Sequence, residues 1–158
     1  MLDLDPNREI VPPKDAATLV LVRNRGNGIE IFCVERHQSS AFMGGALVFP
    51  GGKVDASDRE DAWLGLSTAP RPAPFADDLP MLRALGIAAC RETLEEAAIL
   101  PTQADIPHAE LLALRERIAA KKDNLQAYLL HRGTRLDLAA LYPLARWITP
   151  ASESRRYD

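Results

Sequence analysis

Residues 16–23, AATLVLVR, and 29–36, IEIFCVER, are short apolar runs rich in β-branched residues, and Asn24-Arg25-Gly26-Asn27-Gly28 between them supplies turn chemistry. The pattern predicts two strands joined as a hairpin. A third run, Ala46 to Phe49, follows the break at Gly44-Gly45 and stops at Pro50-Gly51-Gly52, which predicts a short strand. From Leu79 or Pro80 the spacing becomes helical and runs to about Ile99, with Leu82, Leu85, Ala88 and Ala89 on the buried side and Pro101 ending it. HAELLALRERIAAKKD and NLQAYLLHRG predict a helical segment over 107–133, two amphipathic helices separated near Asp123 and Asn124 and closed by Gly133. ARWITP reads as a last strand.

Between the third strand and the long helix the rhythm disappears. The stretch STAPRPAPFADDLP is punctuation rather than pattern, so residues 59–80 are expected to form an exposed loop insert, in which Trp63 and Phe75 more often anchor the loop to its domain than cover a base or acyl group. Strands and helices then make one α/β domain over residues 1–158. Length and composition agree, with 158 residues, 47% hydrophobic and 26% charged. A net charge of −3 lacks the basic footprint of a nucleic-acid binder, so no nucleic-acid partner is expected. No apolar run approaches the ~18 residues of a membrane span, and MLDLDPNREI has no signal-peptide core. Cys33 and Cys90 are too few for a disulfide framework, so a cytoplasmic location is the expectation. His37, His108 and His131 show no metal-ligand spacing and are expected to be surface or satisfied residues.

The chemistry concentrates in RETLEEAAIL, residues 91–100. Glu92, Glu95 and Glu96 stand at i, i+3 and i+4 and share one helix face. Like charges so placed repel by a few tenths of a kcal/mol per pair, so something must offset them. Water does so on a solvated acidic face, and a magnesium or manganese ion does so in a metal site, because hard divalent cations take oxygen ligands. Upstream, ALVFPGGKVD runs a strand into two glycines, which let backbone N–H groups approach a ligand closely.

Together these stretches resemble the Nudix box, G-x5-E-x7-R-E-U-x-E-E-x-G-U, where U is apolar. Gly52 takes the first glycine, Asp58 the first glutamate, Arg91, Glu92, Glu95 and Glu96 the R-E-U-x-E-E core, and Ile99 the closing apolar position. Thr93 stands at an apolar position and Ala98 at the glycine. Between Asp58 and Arg91 lie the 32 residues 59–90, where the pattern has seven. A box split by an insert resembles the coenzyme A diphosphatase branch typified by Nudix hydrolase 19. Gly45-x3-Phe49-Pro50-Gly51-Gly52, with Arg36 nine residues before Gly45, matches part of that branch's coenzyme A motif. Ala41 occupies the slot of the motif's second arginine and His37 that of a small residue.

The resemblance implies an α/β/α sandwich around a mixed sheet and a pyrophosphohydrolase that cleaves a nucleoside diphosphate linked to another moiety. It makes Glu92, Glu95, Glu96 and Arg91 the catalytic set, the three glutamates the ligands of Mg²⁺ or Mn²⁺, and Arg36, Gly51, Gly52 and Lys53 the substrate-binding residues. Arg91 is the partner expected for Asp58. Coenzyme A and its acyl esters compete with ADP-ribose, dinucleotides and nucleotide sugars as substrates. A Nudix-fold nucleotide sensor without hydrolysis is the competing class. The family's sheet also takes strands from beyond the box helix, where only ARWITP is available, so the chain is expected to be incomplete at its C-terminus, or to borrow a strand from a second copy in a homodimer.

Overall fold

A computed structural model describes residues 10–38, 44–76, 78–153 and 155–158. The strands are β1 (Ala16–Thr18), β2 (Val22–Arg25), β3 (Gly28–Ile31), β4 (Val34–Glu35), β5 (Leu47–Val48) and β6 (Gly51–Lys53). The helices are α1 (Trp63–Leu66), α2 (Leu79–Ala97), α3 (His108–Ala119) and α4 (Leu125–Arg132), with 3-10 turns at Ala56–Arg59 and Leu138–Ala140.

The two long strands expected from the sequence are each divided, because the chain changes partners midway. β1 pairs antiparallel with β6, setting Ala17 opposite Gly52, whereas β2 pairs with β3. Leu19 N–H donates to Pro50 O and Phe32 N–H to Leu21 O, so pairing continues past the strand ends at these residues. The hairpin turn is tighter than expected. Arg25 pairs with Gly28, leaving Gly26 and Asn27 as the loop, and Gly26 takes φ 55°, which a side chain would resist. Among the described residues the strands form three two-stranded antiparallel sheets, β1–β6, β2–β3 and β4–β5, and Lys14, just before β1, makes an isolated parallel bridge to Tyr157.

ARWITP forms no strand. The turn after Pro150 sends the chain back on itself, and Thr149 N–H donates to Tyr157 O at 2.9 Å. Trp147 is left 78% exposed.

α2 follows its expected span closely, though Leu85 is only partly buried while Ala84, Ile87, Cys90 and Leu94 join Leu82, Ala88 and Ala89 inside. It ends before Pro101 acts. Ala98 turns into the left-handed region at φ 52°, ψ 40°, and its N–H caps Leu94 O. α3 and α4 lie where the periodicity put them; Asn124 caps α4 by accepting from Ala127 N–H, and Gly133 closes it at φ 67°.

In residues 59–80 Trp63 is the anchor expected, while the short helix it begins and the backbone pairing after it depart from an exposed loop. Trp63 is 3% exposed and belongs to the same core cluster as Ile87, Leu94, Leu114 and Leu129. Its indole N–H donates to Ser57 O at 2.8 Å, satisfying the one polar atom of a buried ring. Ser67 is buried, donates to Trp63 O at 2.7 Å and accepts from Arg83 of α2 at 2.6 Å. Leu136 N–H donates to Leu66 O and Thr68 N–H to Leu136 O, so the insert is stitched to the chain after α4. Burying one aromatic and pairing the adjacent backbone outweighs the turn-prone composition that follows it; of residues 69–76 only Ala69, Arg71, Pro72 and Pro74 are exposed, and Ala73 is buried.

Candidate active site

Two pieces of backbone remote in sequence assemble the site: β6 with the 3-10 turn after it, and the last two turns of α2. Gly51 N–H donates to Glu96 Oε2 at 3.3 Å. A Cβ at Gly52 would lie 2.3 Å from Glu92 Oε1, and one at Gly51 would lie 2.4 Å from Ala17 O. Both glycines are therefore required by close approach, one to a carboxylate and one to the neighbouring strand.

Arg91 ties the pieces together. Its Nε donates to Asp58 Oδ1 at 3.0 Å and its Nη2 to Asp58 Oδ2 at 2.9 Å, a bidentate pair. Nη2 also donates to the Lys53 carbonyl at 2.9 Å, and Nη1 to Glu92 Oε1 at 2.7 Å. Glu95 Oε1 lies 3.6 Å from Nη1 and Asp55 Oδ2 3.7 Å from Nη2. Asp58 is 1% exposed, and Oδ2 also accepts from Asp55 N–H at 2.9 Å. The 3-10 turn carries Asp58 near enough for an aspartate to reach Arg91.

The charges respond to this crowding. Burial works against the Arg91 cation, but hydrogen bonds to Asp58 and Glu92 outweigh it and hold its pKa above the ordinary value. Burial raises the pKa of Glu95; Arg91 opposes the rise and the Glu92 charge adds to it. Glu96 is also raised by burial and by Glu92, while Gly51 N–H and the nearby Arg36 pull the other way. The three glutamates thus act on one another across one helix face.

Among the described residues no three His, Cys, Asp or Glu side chains form a group ready to hold a metal ion. The chemistry of the donors nonetheless fits a hard divalent cation: three carboxylates on one helix face, two of them with raised pKa values, packed beside glycine backbone.

Comparison with solved structures decides the family. A Nudix hydrolase from Alicyclobacillus acidocaldarius matches with a TM-score of 0.72 and 31% identity, over 95% of this chain and 68% of its own. This chain belongs to the Nudix hydrolase family. No family model matches it. Acyl-coenzyme A diphosphatase NUDT19 of Homo sapiens is 31% identical over 83% of this chain, and that of Gallus gallus 32% over 82%. The chain spans about half the length of these curated relatives, 46% of each.

Within the Nudix box the departures now have physical readings. Thr93, at an apolar position, is fully buried and donates its hydroxyl to Ala89 O at 2.7 Å, so it packs as an apolar residue would. Ala98, at the glycine position, adopts the left-handed backbone that glycine adopts freely. Lys53 reaches Arg91 through its carbonyl, while the residue itself is exposed. Arg36 follows β4, is half-buried, and its N–H donates to Ala46 O at 3.0 Å. Ala41 lies outside the described residues. His37, His108 and His131 are exposed. Sequence reasoning missed Asp55, three residues before Asp58 and close to Arg91; an acidic residue at the start of a short turn was its only signal. It also missed the Lys53 carbonyl, and a backbone acceptor leaves no signal in a sequence.

Proposed function

We propose that this Nudix chain is a metal-dependent diphosphatase that hydrolyses a nucleoside diphosphate linked to another moiety, with coenzyme A and acyl-coenzyme A as first candidates. The observation that carries this reading is the closed network in which Arg91 joins Asp58, Lys53 O and Glu92 while Gly51 holds Glu96. It links the two halves of a box whose spacing is 32 residues where the pattern has seven. The naming of the NUDT19 relatives supports the choice of substrate. No described helix is long and apolar enough to cross a membrane, and the free thiols Cys33 and Cys90 suit a reducing cytoplasm.

Glu92, Glu95 and Glu96 are the residues that would hold Mg²⁺ or Mn²⁺. When bound, such an ion neutralises diphosphate charge and lowers the pKa of water. The chain's own residues set the geometry. Arg91 orients Glu92 and is itself fixed by buried Asp58, so the carboxylate starts near one position rather than several. Gly51 N–H does the same for Glu96. Arg36 and Lys53 would meet substrate phosphates. Hydrolysis breaks one P–O bond of the diphosphate and adds the elements of water; coenzyme A yields phosphopantetheine and adenosine 3′,5′-bisphosphate. A sensor would not require all three core glutamates, and this chain keeps them.

The test is product release from coenzyme A, acyl-coenzyme A, ADP-ribose, dinucleotides and nucleotide sugars, with Mg²⁺ or Mn²⁺ and with chelator. Metal-dependent cleavage that includes a coenzyme A substrate is expected. Absence of hydrolysis of every diphosphate would overturn the reading in favour of a binding module.

A further inference from the structure

A cavity of about 300 Å³ opens beside the carboxylate network. Arg91, Leu94 and Glu95 line it, whereas Glu92 and Glu96 meet Gly52 and Gly51. The cavity and the glycine turn therefore occupy neighbouring flanks of one helix. Its apolar lining is Trp63 from the insert, Leu94 from α2, Ile118 from α3 and Leu125 from α4. Glu60 and Gln126 also line it, joined by a hydrogen bond from Gln126 Nε2 to Glu60 Oε2 at 2.9 Å.

Charge and size restrict what can enter. Asp58, Glu60 and Glu95 supply carboxylates, and Arg91, the one cation among the described lining residues, is already bound to Asp58 and Glu92. Beyond the ion that Glu95 would help to hold, a phosphate entering here would meet Glu60 and no unengaged cation among the described lining residues. The volume sits at the low end of the ~300–1,000 Å³ typical of small-molecule sites, which is room for one arm of a substrate and not for the whole. Arg36 acts on Glu96 and Lys53 lies on β6, so the basic residues serve the other flank.

We propose that this cavity is the subsite for the uncharged arm of the substrate, the amide-bearing aliphatic chain across the diphosphate from the nucleotide. The inference rests on the diphosphatase reading and adds an orientation to it: nucleotide and its extra phosphate toward Arg36 and Lys53, arm toward Trp63 and Ile118. It also gives the insert a role, because Trp63 exists in this cavity only through residues that interrupt the box.

Two measurements test it. In Trp147→Phe, where Trp63 is the remaining tryptophan, millimolar pantetheine should change the Trp63 emission and adenosine 3′,5′-bisphosphate should not. In Ile118→Trp, which fills the cavity, kcat/KM for coenzyme A should fall about tenfold relative to that for ADP-ribose, whose arm is a single sugar. An unchanged ratio in a folded variant, or a Trp63 response to the bisphosphate and none to pantetheine, overturns the proposal. If Ile118→Trp does not fold, the fluorescence decides alone. If the chain hydrolyses no diphosphate, the function reading fails, and pantetheine binding still reports on the cavity.

Discussion

The helical side and the strand side of this molecule carry similar apolar residues and use them differently. Ile87, Leu94, Leu114 and Leu129 are fully buried among α2, α3 and α4, whereas Val22, Ile29, Ile31 and Leu47 on the strands are half or more exposed. The strands are held by backbone hydrogen bonds and by β1 and β6 lying against α2, not by burial of their own side chains. The site sits at the seam: the glycine turn belongs to the strand side and the carboxylates to the helical side. The lesson is that hydrophobicity stabilises only where a second layer meets it, so the rigidity of the glutamate face should come from the helices and the insert.

Cysteine chemistry gives the sharpest contrast. Cys33 is exposed on the strand side, while Cys90 is buried and its thiol is pushed up to about 12 by burial and by the Asp137 charge. At pH 8 one thiol should react quickly with an aromatic disulfide and the second only on unfolding. Ionisation alone slows Cys90 by about a thousandfold relative to an ordinary thiol of pKa ~8.5. Two equally reactive thiols in the folded chain would erase the contrast.

Truncation should divide the same way. Leu129→Ala removes a fully buried side chain and should cost about 2–5 kcal/mol in urea unfolding, whereas Ile29→Ala, 66% exposed in the wild type, should stay within ~0.5 kcal/mol. Equal losses would mean that the hairpin face is covered in solution.

At the seam, Asp58→Ala leaves Arg91 without its bidentate partner. A fully buried pair broken on one side costs roughly 3–5 kcal/mol. Arg91 keeps Glu92 and the Lys53 carbonyl, so about 2–3 kcal/mol is expected, together with loss of activity. Asp58→Glu restores the box residue and should recover most of both. A stable, active Asp58→Ala would remove Arg91 from the network.

How far the sequence discloses this molecule follows from where its signals are local. The spans of α2, α3 and α4 are legible because periodicity, Asn124 and Gly133 all agree within a few residues. The carboxylate face and the glycine turn are legible for the same reason, and the pairing of Arg91 with Asp58 through the family pattern. Of the insert only the anchoring by Trp63 is legible: its helix and backbone pairing form only once Ser57, Ser67 and Arg83 are brought around that ring. The strand break at Leu19 depends on a distant partner, Pro50, that no local window contains, and the fold-back after Pro150 on backbone pairing of Thr149 with Tyr157 that apolar patterning does not signal.

Glu95→Gln tests the charge on the helical side of the seam with a smaller effect on stability. The Glu95 pKa lies above its ordinary 4.5. Between 4.5 and the raised value the folded chain binds more protons than the unfolded one, so this group makes stability fall as pH rises through that window. The substitution should remove the fall and, in chelator at pH 8, stabilise the chain by ~0.2–0.5 kcal/mol through relief of like-charge repulsion. Metal-dependent turnover should be lost in the same variant. A less stable Glu95→Gln would mean that its contact with Arg91 outweighs the repulsion from Glu92.

Ala98→Gly should have the smallest effect, for reasons that oppose each other. Ala98 is left-handed, at φ 52°, where a residue with a Cβ costs roughly 1–2 kcal/mol relative to its right-handed form, and glycine removes that cost. Glycine also loosens the unfolded chain by ~0.4–1 kcal/mol. The methyl it deletes is fully buried in the core cluster beside Leu94 and Leu100, a loss of ~0.8 kcal/mol. The contributions offset to within about 0.5 kcal/mol, so the unfolding midpoint should hardly move. Ala98→Val separates the causes: it keeps the burial and worsens the backbone conformation, and should cost ~1–3 kcal/mol. A gain above ~1 kcal/mol in the glycine variant would show that backbone strain outweighs packing at the end of the box helix, and a loss of that size would show the reverse.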